Sequence, residues 1–493
     1  VSETLPPSVY SKQTPSFQAS LQYLHNPPPD ANLGALENRT NLEWQRLAFD
    51  ELISQQLSMR QHYAKRRELG APLLTASKHL IPALLSTLPF GLTGAQQRVV
   101  KEISQDLSRP YPMQRLLQGD VGSGKTIVAM LAALQAIEHG YQVAIMAPTE
   151  ILAEQHYQKM LHWLAPLDIQ VAWLSGSQGK KDRAASLEAI ASGDARLAIG
   201  THALFQAQVQ FNKLGLVVVD EQHRFGVEQR LSLRQKGQSD NVSAPHQLMM
   251  SATPIPRTLS MSYFADLDVS VIDELPPGRT PIATKLVSDA RRDEIVDRVR
   301  AACSQGAQAY WVCPLIEESE VLQLQTALDT FEHLQQTFPD LRVGLVHGRM
   351  KSAEKQAVMA EFSRGDLQLL VATTVIEVGV DVPNASFMVI EHAERMGLSQ
   401  LHQLRGRVGR GAAKSACILI YQTPLSETAR ARLKIIYESN DGFEIAQADL
   451  HLRGPGEFLG IRQSGTPMLK IADLERDADL LEKAQALSDD LLK

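Results

Sequence analysis

The sequence predicts an α/β fold: two parallel-sheet domains in tandem, a helical segment before them and a helical hairpin or tail after them. Three observations predict it. Short β-branched or apolar runs alternate with longer helical segments from residue 89 to 275, as parallel strands joined by crossover helices do. The alternation restarts after Leu275-Pro-Pro-Gly-Arg-Thr-Pro281, a run that ends both helix and strand. Between the first strand-like run and an apolar helical run stands Gly119-Asp-Val-Gly-Ser-Gly-Lys-Thr126, a loop that requires strand, turn and helix in that order.

A chain of 493 residues has a prior of about three domains. Hydrophobic residues at 44% and charged residues at 21% are enough to build ordinary cores. No apolar run is long enough to span a bilayer, and the start has no signal-peptide pattern. Cys303, Cys313 and Cys417 are widely spaced and odd in number, so they read as reduced core thiols rather than a disulfide framework or zinc site. The net charge of −6 excludes a uniformly basic coat. A local stripe of Lys and Arg would still suffice to grip phosphates. The first residue is Val1, in what reads as a linker, so a piece of a longer protein is expected.

The elements follow in order. Residues 1–88 are expected to be linker and helices. Asn26-Pro-Pro-Pro-Asp30 cannot continue a helix, whereas Thr40-Asn-Leu-Glu43 reads as a capping box opening one to about Leu69. Phe49, Leu52, Ile53 and Leu57 form its apolar stripe. The first α/β domain, 89–275, has candidate strands at 115–118, 143–147, 171–174, 197–200, 216–220 and 248–251. The second, 276–423, has them at 309–313, 343–347, 369–373, 388–391 and 417–421. After Thr423 a helical, Gly-punctuated tail is expected over 424–493.

Chemistry concentrates at the strand ends. In the loop 119–126 the glycines let successive backbone N–H groups curl around anionic oxygens. Lys125 can reach β/γ-phosphates, and the Thr126 hydroxyl can hold Mg²⁺. Val217-Val-Val-Asp-Glu-Gln-His223 places two adjacent carboxylates at the end of a buried strand, where α/β sheets bind ligands. Asp220 suits the metal and Glu221 the attacking water. Together these segments imply hydrolysis of a nucleoside triphosphate. In the second domain, Gln403-Leu-Arg-Gly-Arg-Val-Gly-Arg410 carries three arginines that could stabilise charge developing on a γ-phosphate. A solvated basic turn is the bland alternative.

Taken together, these segments resemble the ordered motif set of superfamily-two helicases over about residues 89 to 411. Phe90 and Leu92-Thr93-Gly94-Ala95-Gln96 resemble an adenine-recognising motif. Gly119, Asp120, Val121, Gly122, Ser123, Gly124, Lys125 and Thr126 are the phosphate loop. Thr149, Thr201 with His202, Asp220 to His223, Ser251 with Thr253, Thr373 through Gly379 and Asp381, and Gln403 to Arg410 complete the series. The tail Asn440-Asp-Gly-Phe443, Asp449 to Gly456 and Arg462-Gln-Ser-Gly465 resembles the translocation motif shared by the RecG and Mfd families. Gln222 and Glu228-Gln-Arg230 look more like the RecG family.

The resemblance implies two RecA-like domains and a bacterial, cytoplasmic, nucleoid-associated enzyme that uses ATP and Mg²⁺. It implies translocation on double-stranded DNA, remodelling of branched DNA such as stalled forks and Holliday junctions, a monomer, and a single-stranded-DNA-binding protein as a partner. By motif position, Gln222 and Gln403 sense the γ-phosphate. Arg407 and Arg410 are finger candidates, with Arg410 favoured, and Gly379 and Asp381 approach the nucleotide from the second domain. Thr149, Thr201, His202, Ser251, Thr253, Arg349 and Thr373 would contact the DNA backbone. Arg432, Arg453 and Gln463 would couple hydrolysis to movement. Phe90 reads equally as an adenine stack or as core, and His347 and His402 read as structural rather than metal ligands. An Mfd-like translocase and a DNA-binding scaffold with an inactive ATPase stay open as alternatives. The family's N-terminal wedge, an OB-type barrel, has no counterpart in residues 1–88, which would leave junction recognition weak.

Overall fold

The structure, a computed structural model, describes residues 3, 9–10, 14–221, 244–252, 267–276, 281–313, 320–373, 382, 384–411, 414–453, 469–474 and 476–491. The chain forms two compact units, one built from its two ends and the other holding both sheets.

The chain begins with α1 (Phe17–His25), α2 (Leu33–Glu37) and α3 (Leu42–Arg67). Ser16 and Asn32 cap the first two, each accepting a backbone N–H with its side-chain oxygen. In α3 the Gln45 N–H bonds to the Asn41 carbonyl, and Asn41 donates its amide to Glu43. The helix thus starts one residue later than a cap at Thr40 would place it, and among the described residues the Asn41 Oδ1 accepts no hydrogen bond, so neither side chain caps this end. Its predicted stripe is buried at Phe49, Leu52 and Ile53, with Leu57 half-buried.

The first lobe of the second unit opens with α4 (Leu80–Thr87) and α5 (Gly94–Leu107). It continues β1 (Gln114–Gly119), α6 (Lys125–Glu138), β2 (Gln142–Met146), α7 (Glu150–Leu164), β3 (Val171–Leu174), α8 (Lys180–Ser192), β4 (Leu197–Gly200), β5 (Leu214–Val219), β6 (His246–Ser251) and β7 (Asp268–Ile272). The strands lie in the order β3-β4-β2-β5-β6-β1-β7. Parallel pairing sets Leu117 beside Met250 and Val218 beside Leu248. Strands β1, β2, β4, β5 and β6 are buried almost throughout, as a sheet covered on both faces requires.

The second lobe runs β8 (Ala283–Ser288), α9 (Arg292–Ser304), β9 (Gln308–Val312), α10 (Glu320–Thr337), β10 (Val343–Val346), α11 (Ser352–Arg364), β11 (Leu369–Ala372), β12 (Ala385–Ile390), α12 (Leu398–Arg405) and β13 (Ala416–Tyr421). Its all-parallel order is β10-β11-β9-β12-β13-β8. Helices α13 (Glu427–Glu438) and α14 (Gly442–Arg453) follow. The last helix, α15 (Ala478–Leu491), belongs to the first unit and packs on α3, as does α1. The Glu51 carboxylate accepts the N–H groups of Lys470, Ile471 and Ala472, fastening the approach to α15 onto α3.

Every strand read from the sequence is present within a few residues. Two were not anticipated, β7 and β8, and both are edge strands. Their mixed composition, Asp-Val-Ser-Val-Ile and Ala-Thr-Lys-Leu-Val-Ser, is what an edge tolerates and what hides it from a search for apolar runs. All three cysteines are buried free thiols, and burial pushes that of Cys303 up to about 11. No described helix is long and apolar enough to cross a membrane.

Candidate nucleotide site and its interlobe face

Strand β1 ends at Gly119 and α6 starts at Lys125, so the loop between them lies at the carboxyl edge of the sheet and at a helix N-terminus. That is an anion site by construction, since the first N–H groups of α6 lack intrahelical partners. Gly124 caps α6 in the left-handed region, φ 89°, and a Cβ there would collide with the amide nitrogen of Gln96. Gln96 is held in turn. Its carbonyl oxygen accepts the Thr93 N–H at 3.0 Å in a capping box on α5, and its Nε2 donates to the Ser123 carbonyl at 2.8 Å. The predicted adenine motif therefore braces the loop from below. Phe90 is 48% exposed, which removes its core reading and leaves a ring open for stacking.

Lys125 Nζ donates to the carbonyls of Gly119 and Asp120 at 2.8 and 3.0 Å. Burial lowers its pKa, against the opposing pull of Glu221, Asp220 and Asp120. The Ser123 hydroxyl is buried without a hydrogen-bond partner. Thr126 follows Lys125 in the first turn of α6. A curled loop with left-handed Gly122 and Gly124, a lysine at its mouth and an unmatched hydroxyl fits a triphosphate.

Asp220 caps the end of β5, its N–H bonded to the Met146 carbonyl. Its Oδ2 lies 2.7 Å from Nε2 of His156 on α7. Burial would raise the Asp220 pKa, but the His156 hydrogen bond and the charges of His156 and Lys125 hold it below the usual range. Glu221 behaves oppositely. Burial, then the neighbouring Asp220 charge, push it up to about 7. It also sits at φ 49°, a left-handed conformation that a β-strand end adopts only when its surroundings impose it. Its Oε2 accepts the Ala252 N–H at 3.4 Å, joining it to the segment that holds Ser251. Among the described residues no group of three or more His, Cys, Asp or Glu could hold a metal. Thr126 and Asp220 would thus share Mg²⁺ with phosphate oxygens and water, the usual habit of that ion.

From the second lobe, α12 and the turn after it face the loop. His402 Nε2 lies 2.7 Å from Asp120 Oδ1. A Cβ added to Gly406 would stand 2.8 Å from that of Val121, so the Gly406 backbone rests on the Val121 side chain with no room for a side chain of its own. Arg407 is 9% exposed, and its charge acts on both Lys125 and Glu221. Arg410 acts on Lys159 and shares Tyr310 with Arg407, and its Nε donates to the Gly406 carbonyl. Arg405 is fully buried and bonds to Thr284 and the carbonyls of Ile436 and Ser439. Of the three arginines, Arg407 is the one whose charge acts on both Lys125 and Glu221, while that of Arg405 acts on Asp120. Gln403 is buried in the same helix. A second interlobe contact joins Gln356 of α11 to Glu154 of α7 at 2.6 Å.

The other predicted residues divide by exposure. Thr149 caps α7 through Leu152 N–H. Thr201, Ser251 and Thr373 are buried, and among the described residues the Thr201 hydroxyl has no hydrogen-bond partner. His202 and Arg349 are exposed. His347 stands by Arg349 and Lys355, and burial followed by those cations holds its pKa down, which marks a face suited to phosphates. Arg432 braces α13 by donating to the carbonyls of Met396 and Glu394 at 2.8 and 3.1 Å. Arg453 ends α14. Gln222, Thr253, Gly379, Asp381 and Gln463 lie outside the described residues. Sequence reasoning missed His156 entirely. Only its place on the helix after Thr149 could have signalled it, and a lone histidine on a helix carries no message about a strand 64 residues later.

Comparison with known proteins completes the picture. The family models described as DEAD/DEAH box helicase, helicase conserved C-terminal domain, and ATP-dependent DNA helicase RecG, domain 3, C-terminal match residues 93–262, 292–412 and 439–493. The ATP-dependent DNA helicase RecG of Escherichia coli K12 is 58% identical over 489 residues, 99% of this chain and 70% of its own length. That of Haemophilus influenzae is 54% identical over 488 residues, with the same coverage of both chains. A solved structure of RecG bound to a three-way DNA junction matches with a TM-score of 0.76 and 40% identity over 98% of this chain, which spans 62% of that one. Two parallel-sheet lobes meeting at a phosphate loop, a third segment matching a RecG-specific domain, and identity above one half across almost the whole length lead to one assignment: the chain belongs to the RecG family of ATP-dependent DNA helicases.

Proposed function

We propose that this chain is an ATP-driven motor that moves on double-stranded DNA and remodels branched DNA, such as stalled forks and Holliday junctions, in recombination and repair. The observation that carries the reading is the meeting of α12 with the phosphate loop, through His402–Asp120 and Gly406–Val121, because a motor must make hydrolysis depend on lobe closure.

The residues divide the work. Lys125 leaves the carbonyls of Gly119 and Asp120 for the β/γ-phosphates, which the loop amides also hold. Thr126 and Asp220 would hold Mg²⁺, which when bound neutralises charge on the phosphate oxygens. Glu221, kept near 7 by burial and Asp220, takes the proton of the attacking water. Arg407 enters from the second lobe to stabilise the transition state, so turnover requires the lobes together. Phe90 stacks on adenine. The cationic face at Arg349 and Lys355, with exposed His202, grips DNA phosphates without reading sequence. The protein acts in the bacterial cytoplasm at the nucleoid, as a monomer, with a single-stranded-DNA-binding protein as a partner.

The test is ATP-dependent phosphate release with no DNA, with linear duplex and with a fork, beside a Lys125→Ala control. Stimulation by duplex and fork, abolished by the substitution, supports the reading. Release indifferent to DNA would leave only a nucleotide switch.

A further inference from the structure

We infer that His402 is a positioning residue that carries the state of the phosphate loop to the end of α13, as the central link in a polar path from Asp120 to Arg405. The inference rests on the motor reading above and gives His402 a role that no motif position assigned it.

The path is continuous. Asp120 Oδ1 meets His402 Nε2 at 2.7 Å, and His402 Nδ1 meets a terminal nitrogen of Arg405 at 2.9 Å. The other terminal nitrogen of Arg405 donates to the carbonyls of Ile436 and Ser439, both at 2.8 Å, and to the Thr284 hydroxyl. Those carbonyls close α13, immediately before α14 and at the start of the segment that matches the RecG-specific domain.

Donor and acceptor chemistry gives the histidine a direction. An ionised Asp120 can only accept, and a guanidinium can only donate. His402 must therefore present N–H at Nε2 and a lone pair at Nδ1. One ring orientation and one tautomer satisfy both partners, so Asp120 and Arg405 are linked through a group that cannot serve them independently. His402 and Arg405 are buried and the Asp120 side chain is 21% exposed, so water is kept from the Arg405 end of the path and reaches only the carboxylate.

The loop end of the path moves with the nucleotide. The Asp120 carbonyl is a resting acceptor for Lys125 Nζ, and its carboxylate also accepts the Val121 N–H at 2.6 Å. When Lys125 turns to phosphate, the backbone at Asp120 loses that bond and its carboxylate shifts against His402. Gly406, seated on Val121, keeps the lobes close enough for a displacement of under an ångström to matter. Arg405 then tightens or releases the end of α13. Ser399 of α12, bonded to Asp449 of α14 at 2.9 Å, means that α12 takes both following helices with it.

The experiment uses the intact protein and compares His402→Ala, His402→Gln, His402→Lys, Asp120→Asn and the Asp120→Asn/His402→Ala pair. Glutamine keeps one N–H and one acceptor; lysine keeps the bond to Asp120 but cannot accept from Arg405. His402→Ala should lower DNA-stimulated kcat about tenfold, the value of one lost charge-assisted bond, with KM for ATP changed less than about twofold. Glutamine should restore most of it and lysine little. The double variant should be no worse than His402→Ala. Effects of the two single substitutions that multiply, or a glutamine variant as poor as alanine, would overturn the inference. Should the alanine variant melt early, the glutamine and lysine variants still decide, provided they melt with the wild type. A wild-type protein whose hydrolysis ignores DNA would instead sink the motor reading itself.

Discussion

Asp220 and His156 stand 2.7 Å apart, carboxylate to imidazole, on a strand end and a helix that belong to the same lobe. The aspartate proposed above to hold Mg²⁺ is thus oriented by a partner on the helix beside its strand. Groups that orient a ligating carboxylate typically contribute 10- to 100-fold in metal affinity. His156→Ala should raise the Mg²⁺ concentration for half-maximal ATP hydrolysis about tenfold while leaving kcat at saturating Mg²⁺ largely intact. A magnesium titration of the ATPase checks it; an unmoved midpoint would show that His156 merely fills space.

Adjacent to this pair, Glu221 takes the opposite electrostatic course. Burial and the Asp220 charge raise its pKa to about 7. A general base works only when deprotonated, so kcat/KM for ATP should fall as pH drops through about 7, close to tenfold per unit below it. Above that pH the profile should be flat until another group titrates. Glu221→Gln should abolish the limb together with the activity. A wild-type profile level from pH 6 to 8 would remove Glu221 from the role of base.

The arginines separate by address. Arg407 acts on Lys125 and Glu221, whereas Arg410 acts on Lys159; both act on Tyr310. Arg407→Ala should lower kcat roughly a hundredfold or more with little change in ATP affinity, because fingers act on charge that develops in the transition state. Arg410→Ala should lower it less. Single-turnover hydrolysis of the two variants ranks them, and a larger loss in Arg410→Ala would return the finger to the residue that motif position favours.

The sheets were legible because their central strands are buried on both faces and read as unbroken apolar runs, as in Leu-Gly-Leu-Val-Val-Val at β5. Edge strands β7 and β8 mix polar with apolar residues, some of the polar ones buried as Ser270 and Thr284 are, and left no such trace. The same contrast runs through the site. Lys125, Thr126, Asp220 and Glu221 were legible because phosphate and metal chemistry demands those residue types at short, fixed spacings. His156, and the link from Asp120 to His402, were not, because each joins residues 64 and 282 positions apart that only the folded sheets bring together. Spacing encodes contacts within a loop. Contacts between loops are encoded by topology.

Arg405 shows how far a residue's type can mislead about its role. It lies in the arginine-rich run that read as a γ-phosphate contact, yet it is among the largest fully buried side chains, and among the described residues its donors meet His402, Thr284 and two backbone carbonyls. Burial lowers its pKa, which measures the desolvation that these bonds must offset. Replacing it with methionine keeps most of the volume and removes every donor, leaving the buried Ile436 carbonyl and the half-buried Ser439 carbonyl without their partner. Each such group costs about 1–3 kcal/mol, so Arg405→Met should destabilise the second lobe by roughly 3 kcal/mol and lower its melting temperature by several degrees. A finger residue would behave differently, since its partners arrive only with the nucleotide. Thermal and urea melts of Arg405→Met beside Arg407→Met discriminate between these roles. The expected outcome is early melting for the first and near-normal melting with lost turnover for the second. If Arg405→Met melts with the wild type and loses only ATPase activity, the buried bonds are dispensable and Arg405 belongs with the catalytic arginines after all.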